Sequence, residues 1–140
     1  VCQKLCLPVE ANADVAFNNS ASAQDGALTA ALNAVPKPAQ VGDDAPFALR
    51  RVVREDKNVL IDVSTPNPKQ DIKSVSLFAE GPTPDWALPP PKTASHAPEG
   101  MIRFEIELDG LPPDAKGEGA TLKLTLVGAD AAYEYNVTLN

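Results

Sequence analysis

The most regular alternation in the chain runs over residues 101–108, where Ile102, Phe104, Ile106 and Leu108 interleave with Met101, Arg103, Glu105 and Glu107. A period of two puts the apolar set on one face of a β-strand and the polar set on the other. Residues 121–126 repeat the pattern, with Leu122, Leu124 and Leu126 opposite Thr121, Lys123 and Thr125. Residues 132–139 repeat it again, with Tyr133, Tyr135, Val137 and Leu139 along one side. Asp109-Gly110 and Ala129-Asp130 read as turns between these runs, and residues 111–115 cross from the first strand toward the second.

The same texture begins earlier. Residues 47–55 and 59–63 read as strands joined by the turn Asp56-Lys57-Asn58, and a connection this short predicts an antiparallel hairpin that Pro66 and Pro68 bring to a stop. Residues 74–79 supply another strand, with Val75, Leu77 and Ala79 on one face. The proline-dense residues 80–91 cannot sit inside a sheet and are expected as an extended ribbon along a sheet edge. Residues 92–100 are expected as a loop holding a solvated His96. Six or seven strands over residues 46–140, separated by turn signals, predict an all-β fold, an immunoglobulin-like antiparallel β-sandwich.

Only one stretch has helical spacing. Leu28, Ala31, Leu32 and Val35 share a face, Ser22-Ala23-Gln24-Asp25 has the form of a capping box, and Pro36 and Pro38 end the run. This short N-terminal helix is expected to pack over an interdomain joint, with residues 37–46 as a polar linker after it. Before the helix, residues 11–17 alternate as a half-buried strand would.

Composition narrows the function classes. A net charge of −7 with scattered basic residues argues against nucleic acid and against a polybasic lipid anchor. No apolar run reaches the roughly 20 residues of a membrane span, so the chain is not expected to insert into a bilayer. Fourteen prolines and eight glycines suit a β-protein rich in turns. No nucleophile elbow or phosphate-binding glycine loop occurs, and Glu105 and Glu107 look solubilising. Asp43-Asp44 lacks the spacing of a metal loop, and two cysteines with one distant histidine fall short of a structural zinc set. We therefore expect no metal and no other cofactor.

The reactive chemistry lies in Cys2 and Cys6. Fully extended, their Cα atoms would stand roughly 13 Å apart, whereas a disulfide needs them within about 7 Å, so the segment must bend for the sulfurs to pair. So short a ring removes little entropy from the unfolded chain, which favours a redox role over a staple. A structural disulfide and two unpaired thiols remain the competing readings. Lys4, between the cysteines, would favour a thiolate. Trp86 has two readings as well, a packing plug at one end of the sandwich or, with Phe78, an anchor for a partner.

Cys2-x-x-x-Cys6-Leu7-Pro8-x-Glu10 resembles the end of the N-terminal immunoglobulin-like domain of thiol:disulfide interchange proteins of the DsbD and ScsB type. Residues 77–89, from Leu77-Phe78-Ala79-Glu80-Gly81 through Trp86 to Pro89, are similar to a segment of DsbD-domain-containing bacterial proteins with a second β-domain. The resemblance implies a periplasmic component of a protein-disulfide reductase-type oxidoreductase. In it Cys6 forms the intermolecular bond, Cys2 resolves it, and Pro8 and Glu10 shape the site. It also implies redox partner proteins: a membrane thiol transporter or thioredoxin-like domains as donors, and oxidised periplasmic proteins as acceptors. The expected layout is the end of an upstream redox-active domain over residues 1–17, a helix and linker over 18–45, and a second β-sandwich over 46–140. The chain is then a piece of a longer protein. The alternative is a non-catalytic β-sandwich interaction module whose cysteines form a structural disulfide.

Overall fold

The computed structural model describes Asn12, Asp14 and residues 24–140. The strand expected over residues 11–17 lies outside the described residues except at Asn12 and Asp14. Helix α1 spans Asp25–Asn33, with Gln24 as its N-cap, two positions later than the predicted capping box. Its last turn closes through bonds from the Ala34 N–H to Ala30 and Ala31 and from the Val35 N–H to Leu32, and Pro36 then removes the next donor. No residue of α1 is buried, and Leu28 and Leu32 are 59% and 72% exposed. The apolar stripe therefore does not pack on the sandwich, and the upstream side of the expected joint lies outside the described residues.

Strands β1 (Lys37–Pro38), β2 (Ala48–Glu55), β3 (Asn58–Ser64), β4 (Ser76–Glu80), β5 (Lys92–Thr93), β6 (Met101–Glu107), β7 (Thr121–Val127) and β8 (Ala132–Thr138) form two sheets among the described residues. Their orders are β2-β3-β6-β5 and β1-β8-β7-β4. Lettering β2 to β8 as A to G gives ABED on one sheet and CFG on the other, the constant-type immunoglobulin topology. The extra strand β1 lies parallel to β8, with Lys37 opposite Tyr133.

Alternation explains the core. Val59, Ile61 and Val63 of β3 and Ile102, Phe104 and Ile106 of β6 meet Leu122, Leu124 and Leu126 of β7 and Tyr135 of β8, all buried. These inner faces interdigitate as expected for packed sheets. Each buried aliphatic or aromatic side chain contributes about 1.5–3 kcal/mol relative to exposure. The β2–β3 hairpin is antiparallel, as its turn predicts, and Asp56 accommodates the turn with φ +52°.

Four features depart from the sequence reading. The expected linker contributes β1 and is pinned farther along by Arg50. A bulge between Leu49 and Arg51 re-aims that side chain onto the Asp43 and Ala45 carbonyls at 2.6 and 2.9 Å, the Ser64 hydroxyl at 3.0 Å and the Asp44 carboxylate at 3.1 Å. Pro68 serves as an early helical residue of the one-turn α2 (Pro68–Asp71) as well as ending the strand run, and the Asp71 carboxylate accepts hydrogen bonds from the Thr65 hydroxyl and, at 3.1 Å, the Asn67 N–H. The loop containing His96 begins with β5, whose Lys92 and Thr93 oppose Glu105 and Phe104. Asp62, on the outer face of β3, is 3% exposed and takes a two-pronged ion pair from Arg103 at 2.6 and 2.8 Å. That hydrogen bond raises the Arg103 pKa further above its ordinary value.

Candidate functional site

Cys2, Cys6, Pro8 and Glu10 lie outside the described residues. The other expected site residues, Phe78 and Trp86, fall on and just after β4. Leu77 is buried on the inner face of that strand, so its neighbours Ser76 and Phe78 point outward. Phe78 is 57% exposed, opposite Thr125 of β7. On the same outer face Glu80 stands opposite Lys123, and Lys123 reaches Glu134 of β8 at 3.5 Å.

Beyond Glu80 the prolines prevent ladder pairing, but the ribbon does not follow an edge. It crosses from β4 in one sheet to β5 in the other, turning through a Trp86 N–H bond to the Thr83 carbonyl at 3.1 Å. The Ala87 N–H then bonds to the Gly110 carbonyl at 3.2 Å, fastening the ribbon to the loop after β6. Trp86 and Leu88 are half-buried and pack against the core. Two glycines make this possible. A Cβ at Gly81 would overlap the Trp86 side chain, 2.7 Å from its Cδ2. Gly110 holds φ +82°, and a Cβ there would stand 2.6 Å from the Ala87 carbonyl.

Trp86 therefore acts mainly as the packing plug, with part of its surface on an open cleft of about 520 Å³. That cleft is lined by Glu80, Gly81, Pro82, Pro84, Trp86 and Lys123, among others. Its size suits an extended side chain, and its two charges flank an apolar floor. Phe78 lies outside the cleft lining, so the structure does not join the two aromatics into one pocket. His96 is exposed in its loop. No group of three or more metal-ligating side chains occurs among the described residues.

The groups that sequence reasoning missed hold the frame around this surface. The Tyr135 hydroxyl accepts a hydrogen bond from the Leu49 N–H at 3.2 Å, joining β8 to β2 across the two sheets. Burial raises the Tyr135 pKa, with the Leu49 bond acting in the opposite direction. An inward-facing tyrosine in an otherwise aliphatic strand face is the signal that such a partner exists. Asp62, alone among apolar neighbours in a central strand, gives the corresponding signal for Arg103.

No protein-family model matches the chain, and no curated protein matches it in sequence. Among solved structures it is similar to the N-terminal periplasmic domain of ScsB from Proteus mirabilis, with a TM-score of 0.58 and 11% identity. The similarity covers 84% of this chain and 45% of the other, so the chain spans less than half the length of that protein domain. At this identity the likeness is one of fold.

Proposed function

We propose that this chain is part of a periplasmic thiol–disulfide interchange protein of the DsbD and ScsB type. Residues 1–17 would carry the redox pair, 18–45 a helix and linker, and 46–140 a supporting β-sandwich. The observation that carries the reading is the fold likeness to a periplasmic ScsB domain in a chain that also bears Cys2-x-x-x-Cys6-Leu7-Pro8-x-Glu10. Among the described residues no helix is long and apolar enough to cross a membrane.

In the proposed reaction the Cys6 thiolate attacks one sulfur of an oxidised protein's disulfide, forming a mixed disulfide and releasing the other sulfur as a thiolate. The Cys2 thiolate then attacks the Cys6 sulfur. The acceptor leaves as a dithiol carrying two electrons, and Cys2 and Cys6 leave as a disulfide. A dithiol donor, a membrane thiol transporter or a thioredoxin-like domain, resets the pair in two steps: one donor thiolate attacks the Cys6 sulfur and frees Cys2, and the donor's second thiolate resolves that mixed disulfide, leaving the donor as a disulfide and Cys2 and Cys6 as thiols. Lys4 favours the thiolate forms, and Pro8 and Glu10 shape the site.

The test is the reduction potential of the pair, measured by equilibrating the chain in glutathione or dithiothreitol buffers and counting free thiols. A value between about −180 and −270 mV supports exchange. A value well below about −300 mV, or thiols that never pair, refutes it. The rival reading, a non-catalytic interaction module, is favoured by the exposure of Phe78. It requires partner binding that survives loss of both cysteines and is lost with Trp86 or Phe78.

A further inference from the structure

We propose that β4 is an edge on which two copies of this chain pair, antiparallel about a two-fold axis at Phe78, so that two four-stranded sheets become one. The proposal is independent of the redox reading.

It rests on a comparison of the four sheet edges among the described residues, β2, β5, β1 and β4. An open edge presents unpaired backbone donors and acceptors, and proteins that remain single blunt such edges with charge, proline, bulges or shortness. β2 carries a bulge and Arg50, Arg51 and Arg54. β5 has two residues and follows Pro89-Pro90-Pro91. β1 also has two residues, one of them Pro38, which donates no bond. β4 is the least guarded of the four, its one charge being Glu80 at the C-terminal end. Its five residues contain no proline, no bulge and no lysine or arginine, and Phe78 stands exposed at their centre.

The strand is also complementary to itself. An axis through its central residue pairs the whole strand end to end, without overhang. Phe78 then faces its own counterpart, an aromatic cross-strand pair on the outer face. Ser76 faces the counterpart of Glu80, which places a hydroxyl donor beside a carboxylate. Leu77 faces the counterpart of Ala79 on the inner side. Pro82, two residues beyond the strand, stops the ladder from extending past its C-terminal end. Each copy carries −7, so long-range repulsion opposes the pair and added salt strengthens it.

The experiment is sedimentation equilibrium of the full chain from micromolar to millimolar concentration, in dithiothreitol so that Cys2 and Cys6 cannot link copies. The expected result is a mass that rises toward twice that of the protomer and rises further at high salt. Phe78→Lys places two like charges at the axis and should weaken association at least tenfold, with thermal unfolding unchanged at concentrations where the wild-type chain is a single protomer, because the side chain is exposed there. In a Cys2→Ser/Cys6→Ser background, Phe78→Cys should form an intermolecular disulfide at least ten times faster than Leu28→Cys, which places its thiol on the equally exposed α1. A protomer mass at every concentration, a dimer indifferent to Phe78→Lys, or equal cross-linking rates would overturn the proposal. So would association with an extended peptide strand at β4 by a chain that stays monomeric alone.

Discussion

Replacing Tyr135 by phenylalanine removes one oxygen atom and leaves the ring in place. The Leu49 N–H that donates to this hydroxyl at 3.2 Å belongs to a residue with 0% exposure, and Tyr135 itself is 1% exposed. The variant therefore leaves a buried donor with no acceptor and no route to water, which costs about 1–3 kcal/mol. Tyr133→Phe is the control, because its ring is half-buried and its hydroxyl has no bonded partner among the described residues; its effect should stay within about 0.5 kcal/mol. Urea unfolding followed by Trp86 fluorescence would report both, with the midpoint lowered for Tyr135→Phe and the slope unchanged.

The same pair of variants has a signature in alkali. Burial holds the Tyr135 pKa above its ordinary value, so the folded chain retains a proton that the unfolded chain gives up from about pH 10. The tyrosine's contribution is complete below that pH and is lost as pH rises through the folded-state pKa, by up to about 1.4 kcal/mol per pH unit. Phenylalanine has no such loss. The stability gap between the wild-type chain and Tyr135→Phe should therefore narrow above about pH 10. A Tyr135→Phe cost equal to that of Tyr133→Phe, with a gap that does not narrow, would refute the argument.

Two further substitutions probe the frame. Gly81→Ala should push Trp86 from its seat, shift the emission of the chain's only tryptophan toward the red, and cost about 1–3 kcal/mol by overpacking; unchanged emission would count against the close approach. Arg103→Met leaves the Asp62 carboxylate buried without its partner and should cost about 3 kcal/mol, at the low end for a buried pair because the arginine side chain is 22% exposed. The double variant Asp62→Leu/Arg103→Met should recover most of that loss in the same urea assay, and a double variant as unstable as the single one would contradict it.

What the sequence made legible follows from where side chains carry the information. The strands β6, β7 and β8 each alternate long enough for burial to be read directly, and Ile102, Phe104 and Ile106 face the core as their spacing requires, whereas β2 and β3 were legible only as short strand-like runs bounded by turn signals. β1 and β5 are two residues long and are held by backbone bonds, which impose no pattern on residue type. The bulge at Arg50 was hidden for the same reason, since register is a property of the pair of strands. Pro68 was read only as a stop, yet a fixed φ suits the first turn of a helix equally well. The helix α1 is present as an element, but amphipathic spacing states which face is apolar and leaves open what it meets.

The same distinction separates the parts of the candidate site. The cysteine motif is local and can be read from ten consecutive residues, whereas the position of Trp86 depends on Gly81 five residues earlier and on Gly110 in a loop after β6. The packing-plug reading of Trp86 could be made from its size, whereas nothing in the sequence marks the glycines that let it settle into the end of the sandwich. Phe78 shows the converse. Its strand alternates cleanly, and the pattern assigns it outward, so its exposure was predictable from Leu77 alone. What the pattern does not contain is how lightly that edge is guarded, by Glu80 alone. It emerges only when all four edges are compared, and for that reason β4, rather than the tryptophan ribbon, is the surface from which association is argued.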